Sequence, residues 1–230
     1  MLVNVGKLMS HTSTKGGGGV KHPFNPSLVD AWFMSGLSDN NKPSSIRGVK
    51  GNEIVLRNFA FTSESGFGEG AYEGALVFDG VDDYGICNNL PILTDYTVIC
   101  KREIINKETG SVASKRTSSS QWDGAFIFER NNQLTSFGQN NYRTIQQDSV
   151  SYMTATSYNG DIISRGSLQD TEYLILGADG FNIDLNRAHG FSNCAIYYFA
   201  LYDKSLTPEE VEEEKVKLEN YWEGGKNELA

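Results

Sequence analysis

Cysteine and proline are both scarce in this sequence. Its 230 residues include 3 Cys and 5 Pro. An odd number of cysteines without C-x-x-C spacing argues against a disulfide framework and against a zinc site. We therefore expect Cys87, Cys100 and Cys194 to be free thiols, the last two as small core residues. The low proline content leaves most of the chain able to form strands.

Long apolar runs and basic clusters are also missing. No stretch approaches the ~20 apolar residues of a membrane-spanning helix, and no apolar segment follows the first lysines. We therefore expect neither membrane insertion nor a signal peptide. Nucleic-acid binding requires a basic patch, whereas this chain has a net charge of −9 at pH 7. The one short basic pair, Lys115-Arg116, is typical of a solvated loop, so we expect no nucleic-acid partner.

Glycine and aromatic residues are plentiful, with 24 Gly and 11% Phe, Trp and Tyr. Short apolar runs alternate with polar turns, and Asn159-Gly160 is a strong hairpin signal. This pattern predicts an all-β, two-sheet antiparallel jelly-roll sandwich. Parity within each run predicts these core residues: Leu76, Phe78, Val98, Cys100, Phe126, Phe128, Leu174, Leu176, Ile196 and Tyr198.

One helix is predicted after the last strand. Thr207 stands at the N-cap, Pro208 at N1 and Glu210 at N3, which is a capping box. An apolar stripe follows as far as Trp222, and Gly224 is placed to end the helix. We expect this helix to close one edge of the sandwich.

The chain divides into three parts by composition. Residues 1–71 are predicted to be an N-terminal arm or attachment segment, because four consecutive glycines at 16–19 resist regular structure. Within it, residues 28–33 have apolar spacing typical of a short helix. Residues 72–223 form the sandwich with its closing helix, and residues 224–230 form a tail.

Three stretches resemble the concanavalin A-like lectin/glucanase family in its laminin G-like form. They are the run 75–84 (ALVFDGVDDY), the Asn159-Gly160 hairpin with the strand that follows it, and the segment 189–210. Segments within residues 32–60 resemble leaders of proteins encoded by gut bacteria and their tailed phages. The resemblance implies a jelly-roll sandwich and a lectin-like surface.

The resemblance leaves three functions open, since this fold serves lectins, glycanases and structural modules. The sequence lacks an E-x-D-x-E carboxylate pattern, so we expect a protein that is not an enzyme. The favoured function is a phage virion surface component, of the head or tail fibre or decoration type. The alternatives are a bacterial carbohydrate-binding module and an atypical glycoside hydrolase.

The expected partners are a glycan or a virion protein, and the chain is expected to form a homo-oligomer. Its expected location is the virion, or alternatively the cytoplasm or surface of a bacterium.

Two groups of residues are candidate ligand sites. Asp79, Asp82 and Asp83 share one turn and are candidate calcium ligands, although aspartates also stabilise turns through their own backbone. A carbohydrate site is predicted from aromatic rings next to polar groups, because sugar rings have apolar faces and hydroxyl edges. The alternative is that these rings cover the ends of the core. The candidates are Trp122, Asp123, Tyr142 and Tyr158.

Large apolar side chains in the predicted arm need a surface to cover them. Each costs about 1.5–3 kcal/mol if left in water. We expect residues 1 to about 70 to make most of their contacts with another chain. For residues 54–61 the alternative is that they add a strand to the sandwich itself. The predicted partner contacts are Trp32, Phe33, Phe59 and Phe61.

Overall fold

The structure is a computed structural model that describes residues 23–106, 110–118, 122–145 and 148–226. Residues 1–22, which contain the glycine run of the predicted arm, lie outside this range. The strands, in chain order, are β1 (Leu28–Phe33), β2 (Ser45–Arg47), β3 (Glu53–Arg57), β4 (Gly66–Phe67), β5 (Leu76–Asp79), β6 (Tyr84–Cys87), β7 (Thr97–Asn106), β8 (Ser111–Ser118), β9 (Trp122–Arg130), β10 (Gln133–Ser136), β11 (Gln139–Tyr142), β12 (Asp148–Thr154), β13 (Ser157–Tyr158), β14 (Asp161–Ile162), β15 (Leu174–Leu176), β16 (Ala178–Asn182), β17 (Arg187–Phe191) and β18 (Asn193–Tyr202), followed by the helix α1 (Pro208–Lys226).

These strands form two stacked sheets, which confirms the predicted all-β sandwich. Sheet A has the order β14-β13-β12-β7-β18-β5-β4, and β1 also pairs with β18. Sheet B has the order β11-β10-β9-β8-β15-β6-β3-β2. The hairpin β16–β17 is attached to sheet B, where β16 lies parallel to β8. The other pairings are antiparallel.

The main core lies between the two sheets, and the predicted core residues are all buried. Tyr198 is the one that faces the other way, because it packs on the outer side of sheet A. A β-bulge in β18 between Ile196 and Tyr198 shifts the alternation of side chains at this point. Two smaller apolar layers cover parts of the outer faces of sheets A and B. The three cysteines are free, and Cys87 is buried along with the predicted core residues Cys100 and Cys194.

The helix α1 begins with the predicted capping box. The Thr207 amide donates to Glu210 Oε2 at 2.9 Å, and the Glu210 amide donates to Thr207 Oγ1 at 3.2 Å. The helix covers the outer face of sheet A through Val211, Leu218 and Trp222, so the expectation that it closes an edge is wrong. It also continues through the predicted tail to Lys226, because a helical glycine costs only about 1 kcal/mol relative to alanine.

The predicted boundary between an arm at 1–71 and a sandwich from 72 is wrong for the described part of that segment. Residues 28–33 form a strand that pairs with β18 in the middle of sheet A. Residues 45–57 add β2 and β3 to sheet B, where β3 pairs with β6. The helical spacing in 28–33 misleads because this strand is buried on both faces, so its apolar residues do not alternate.

The side chains predicted to contact a partner pack within their own sandwich. Trp32 is fully buried in the inter-sheet core, so it has no surface to offer another chain. The Phe33 ring lies 4.5 Å from the Tyr221 ring. The other two pack against core phenylalanines, Phe59 at 5.2 Å from Phe78 and Phe61 at 6.5 Å from Phe67. Because these groups pack against their own chain, they need no partner to cover them. The predicted partner contacts are therefore wrong.

Within the described residues, no helix is both long enough and apolar enough to cross a membrane.

Candidate functional site

A polar cleft of about 270 Å³ lies over β8–β11. It lies on the outer face of sheet B, since Phe128 and Leu134 of the same strands point into the inter-sheet core. Ile127 forms part of its floor, and Leu168 contributes to one wall. The polar side chains that line it are Arg116, Arg130, Gln133, Thr135 and Asn140.

One β-bulge places Arg130 at the cleft. Gln133 pairs with Arg130 and Thr135 pairs with Ile127, so β9 has one more residue than β10 here. Glu129 is the extra residue and has a left-handed φ of 56°. Phe128 and Glu129 both turn inward as a result, and Arg130 turns outward.

A second bulge lies at the other end of β9, where this strand pairs with β8. Lys115 pairs with Phe126, but the next residue, Arg116, pairs with Gly124. Gly124 has a φ of 155°, and a Cβ there would lie 2.3 Å from the Lys115 carbonyl oxygen. Only glycine fits this approach of the two strands. The extra residue is Ala125 on β9, whereas on β8 the side chains alternate normally from fully buried Lys115 to Arg116, which lines the cleft.

Asp179 on β16 holds Arg130 in place. Arg130 Nε lies 2.9 Å from Asp179 Oδ2, and the two side chains are 45% and 5% exposed. Burial raises the pKa of Asp179, while the charges of Arg130 and Arg116 oppose this rise. Burial likewise lowers the pKa of His189, and the nearby charges of Arg116, Arg130 and Arg187 lower it further. Two arginines, Arg116 and Arg130, thus act on one carboxylate, so this side of the cleft carries an excess of positive charge.

The predicted carbohydrate residues have different outcomes. Tyr142 is 70% exposed and pairs directly with Gln133 of the cleft. Asp123 is exposed and precedes Gly124 in the cleft wall. Trp122 begins β9, but its side chain lies outside the described residues. Tyr158 is 3% exposed, so its prediction as a sugar contact is wrong.

Tyr158 belongs instead to a buried network that links the two sheets. Its hydroxyl donates to Glu129 Oε1 at 2.7 Å. Arg102 of β7 donates to the same carboxylate from Nε at 2.5 Å and from Nη2 at 2.7 Å. Arg102 also donates to the hydroxyls of Ser149 and Ser151 on β12. The extra residue of the bulge therefore supplies an inter-sheet ion pair, and the network does not face solvent.

The three candidate calcium ligands do converge. One ligand oxygen from each of Asp79, Asp82 and Asp83 lies within 4.8 Å of the others. The turn accounts for part of this geometry, because Asp79 Oδ1 accepts from the Val81 and Asp82 amides and Asp83 Oδ2 accepts from the Asp79 amide. The remaining oxygen, Asp83 Oδ1, is buried without a hydrogen-bond partner of good geometry, although the Ser65 hydroxyl is close enough to affect its pKa.

The aspartate turn fits a cation in donor type but not in donor number. Carboxylate oxygens suit calcium, yet three fall short of the usual ligand count of about 6–8. Burial raises the pKa of Asp83 to about 6, and the Asp79 and Asp82 charges add to the rise. A proton on Asp83 is thus an alternative to a cation at this turn.

Sequence reasoning missed the cleft itself. Its polar residues come from β8, β9, β10 and β11, and none of them forms a motif along the chain. The pair Lys115-Arg116 was one available signal, but it was interpreted as a solvated loop. Both residues lie in a strand, and Lys115 is fully buried.

Known structures share this fold. No family model and no curated protein matches the sequence. Trypanosoma rangeli sialidase in complex with sialic acid gives a TM-score of 0.52 at 13% identity, over 84% of this chain and 33% of the sialidase. The covalent intermediate of the same enzyme with 2,3-difluorosialic acid gives 0.52 at 13% identity, over 87% and 34%. The botulinum neurotoxin serotype D binding domain gives 0.47 at 13% identity, over 80% and 50%.

The chain therefore spans about a third of the length of these sialidases. At such identities the similarity shows a common β-sandwich fold. The expectation that the chain is not an enzyme is overturned by this comparison, because the same sandwich occurs in sialidases, which are enzymes. The missing E-x-D-x-E pattern does not exclude catalysis, since carboxylates that flank a glycosidic bond need not come from one strand.

Proposed function

We propose that this protein binds carbohydrate through the polar cleft of sheet B. The observation that carries the proposal is the cleft's composition, with hydrogen-bonding side chains on β8–β11 next to the exposed Tyr142. Sugar hydroxyls need such donors and acceptors, and the apolar face of a sugar ring stacks on an aromatic ring. Trypanosoma rangeli sialidase, which has the same fold, binds sialic acid. That likeness supports a sugar ligand for the present chain.

Tyr142 occupies the position expected of a stacking platform. It pairs with Gln133 in the ladder between β10 and β11, so the two side chains point to the same face about 4.5–5.5 Å apart at Cβ. The neighbouring pair, Thr135 and Asn140, is joined by a hydrogen bond of 2.9 Å between their side chains. A sugar lying on Tyr142 would therefore have polar groups along one edge.

The test is binding of the full chain to a glycan array, followed by calorimetry with the best ligands. We expect Tyr142→Ala to lower affinity about tenfold or more, which corresponds to the ~1.4 kcal/mol of one lost stacking contact. Ile92→Ala is the matched control, because Ile92 is 60% exposed and does not line the cleft. The same ligands are assayed for cleavage, since sialidases share the fold. Unchanged affinity of Tyr142→Ala, or no binding to any glycan, contradicts the proposal.

The virion location, the virion protein partner and the homo-oligomer stay predictions. A carbohydrate-binding sandwich is compatible with a phage surface component and with a bacterial binding module alike.

A further inference from the structure

The cleft carries positive charge on an acidic protein. The chain has a net charge of −9 at pH 7. In contrast, Arg116 and Arg130 both line the cleft and both interact with the single carboxylate of Asp179. Burial lowers the pKa of Arg116, and the nearby positive charge of Arg130 lowers it further. A local excess of one positive charge over the carboxylate favours an anionic ligand.

Arg130 has donors to spare for such a ligand. A guanidinium offers five N–H groups in a planar fork. Asp179 binds it at Nε, and within the described residues no other carboxylate forms an ion pair with its two terminal amino groups. The side chain is 45% exposed and lines the cleft. The terminal face of the fork is therefore available from the cleft side.

Asp179 fixes the direction of that fork before a ligand arrives. The aspartate is 4% exposed and packs against Gly190, where an added Cβ would lie 2.4 Å from Oδ2. Gly190 has a φ of 67°, which favours glycine. An immobile carboxylate at Nε leaves the guanidinium little freedom to rotate. A donor oriented in advance loses less entropy on binding.

From these features we infer that the sugar bound in the cleft is an acidic one, whose anionic group is held by the terminal nitrogens of Arg130. This inference rests on the proposed function. A carboxylate matches the guanidinium fork with two parallel hydrogen bonds. Gln133, Thr135 and Asn140 then bind hydroxyls of the same residue. The cleft volume of about 270 Å³ suits a small ligand such as one sugar unit of a longer chain.

Two sources supply the same anionic chemistry, a uronic-type carboxylate and a sulfate ester. We commit to the carboxylate, because the fork that Arg130 presents has the flat geometry of a carboxylate pair.

The experiment measures binding affinities by calorimetric titration of the full chain. The ligands are an oligouronate, its neutral methyl ester, a sulfated oligosaccharide and the desulfated form of that oligosaccharide. We expect the oligouronate to bind at least tenfold more tightly than its ester, with affinity falling as salt is added.

The variant that tests the contact is Arg130→Gln, with Arg130→Lys to keep a cation beside Asp179. We expect both to lower oligouronate affinity about tenfold or more and to lower affinity for the methyl ester much less, because only the acid pairs its charge with the fork. Arg57→Gln is the matched control, since Arg57 is exposed on β3, away from the cleft strands. Melting curves confirm that each variant is folded.

Three outcomes overturn the inference. Equal affinity for acid and ester shows that the cleft does not recognise the charge, and leaves the proposed carbohydrate binding intact. Preference for the sulfated ligand over the oligouronate shows that the carboxylate assignment is wrong. Absence of binding to every saccharide removes the proposed function and this inference together.

Discussion

At the scale of single residues, the sandwich contains a fully buried ion pair between Lys115 and Asp170. Lys115 Nζ donates to Asp170 Oδ2 at 2.5 Å, to the Pro91 carbonyl at 3.1 Å and to the Thr171 carbonyl. Asp170 also accepts from the Leu93 amide at 2.7 Å. Burial lowers the pKa of Lys115 and raises that of Asp170, whereas their mutual attraction opposes both shifts. The pair fixes two loops to β8, and removing one partner alone leaves the other charge buried.

Asp83 gives a pH-dependent prediction at the same scale. Its pKa is about 6 in the folded protein and 3.8 in a model compound, so the folded state holds the proton more tightly. Protonated Asp83 therefore stabilises the folded state fully below about pH 4, and this stabilisation is lost as the pH rises through about 6. We expect Asp83→Asn to raise the free energy of unfolding by about 1–3 kcal/mol at pH 7.5. Denaturant unfolding at pH 4.5 is the control, where the gain is expected to shrink.

If a cation is bound at this turn, Asp83→Asn lowers the free energy of unfolding instead of raising it. If calcium occupies the turn of Asp79, Asp82 and Asp83, calcium raises the melting temperature of the parent chain by mass action, and Asp83→Asn loses this increase. Calcium binding stays a prediction. Melting curves that coincide with and without chelator remove it, and destabilisation by Asp83→Asn in calcium at pH 7.5 supports it.

Single elements show why local patterns predicted some features and not others. The capping box of α1 and the apolar parity of β5, β7, β9 and β15 are encoded by neighbouring residues, and both were predicted. Strand β1 was not, because a strand buried on both faces shows no alternation and its apolar spacing resembles that of a helix. The bulges at Glu129 and Gly124 were not predicted either, since their extra residues are defined by the partner strand.

The strands β1–β4 provide an element-scale prediction. A chain that begins at Tyr72 loses β1, which pairs with β18 of sheet A, the edge strand β4 of the same sheet, and β2 and β3 from the edge of sheet B. It also leaves the cavity of fully buried Trp32, a loss of about 3–5 kcal/mol by itself. We expect this chain to be unfolded or aggregated by circular dichroism and gel filtration. A chain that begins at Pro23 is the control, because it keeps every described strand. A folded, soluble Tyr72 chain shows that residues 23–71 are an attachment segment after all.

At the scale of the whole molecule, the outer faces of the two sheets are covered to different extents. Sheet A is covered by α1, and one part of the outer face of sheet B is covered by the hairpin β16–β17. The adjacent part, over β8–β11, remains open as the polar cleft. Because the protein is acidic overall, the arginines of this cleft are what would attract the proposed acidic ligand. We therefore expect binding to be sensitive to salt and confined to this face.

The cleft could not be predicted from the sequence because it exists only at the level of the assembled sheet. Arg116 and Arg130 are brought together by the pairing of β8 with β9, and Asp179 reaches them from a parallel strand later in the chain. Tyr142 was predicted as a sugar contact from its polar surroundings alone, and the structure places it beside the cleft. Tyr158 also has polar neighbours in the sequence, but its side chain is buried.

The most direct test of carbohydrate binding in this cleft is an NMR titration of the ¹⁵N-labelled full chain with an oligouronate. We predict that the shifted amide signals map to β9, β10 and β11, with Gln133, Thr135, Asn140 and Tyr142 among them, and that the Arg130 Nε–H signal shifts as well. Shifts that map instead to the aspartate turn or to α1, or a spectrum that does not change at saturating oligouronate, would contradict the account.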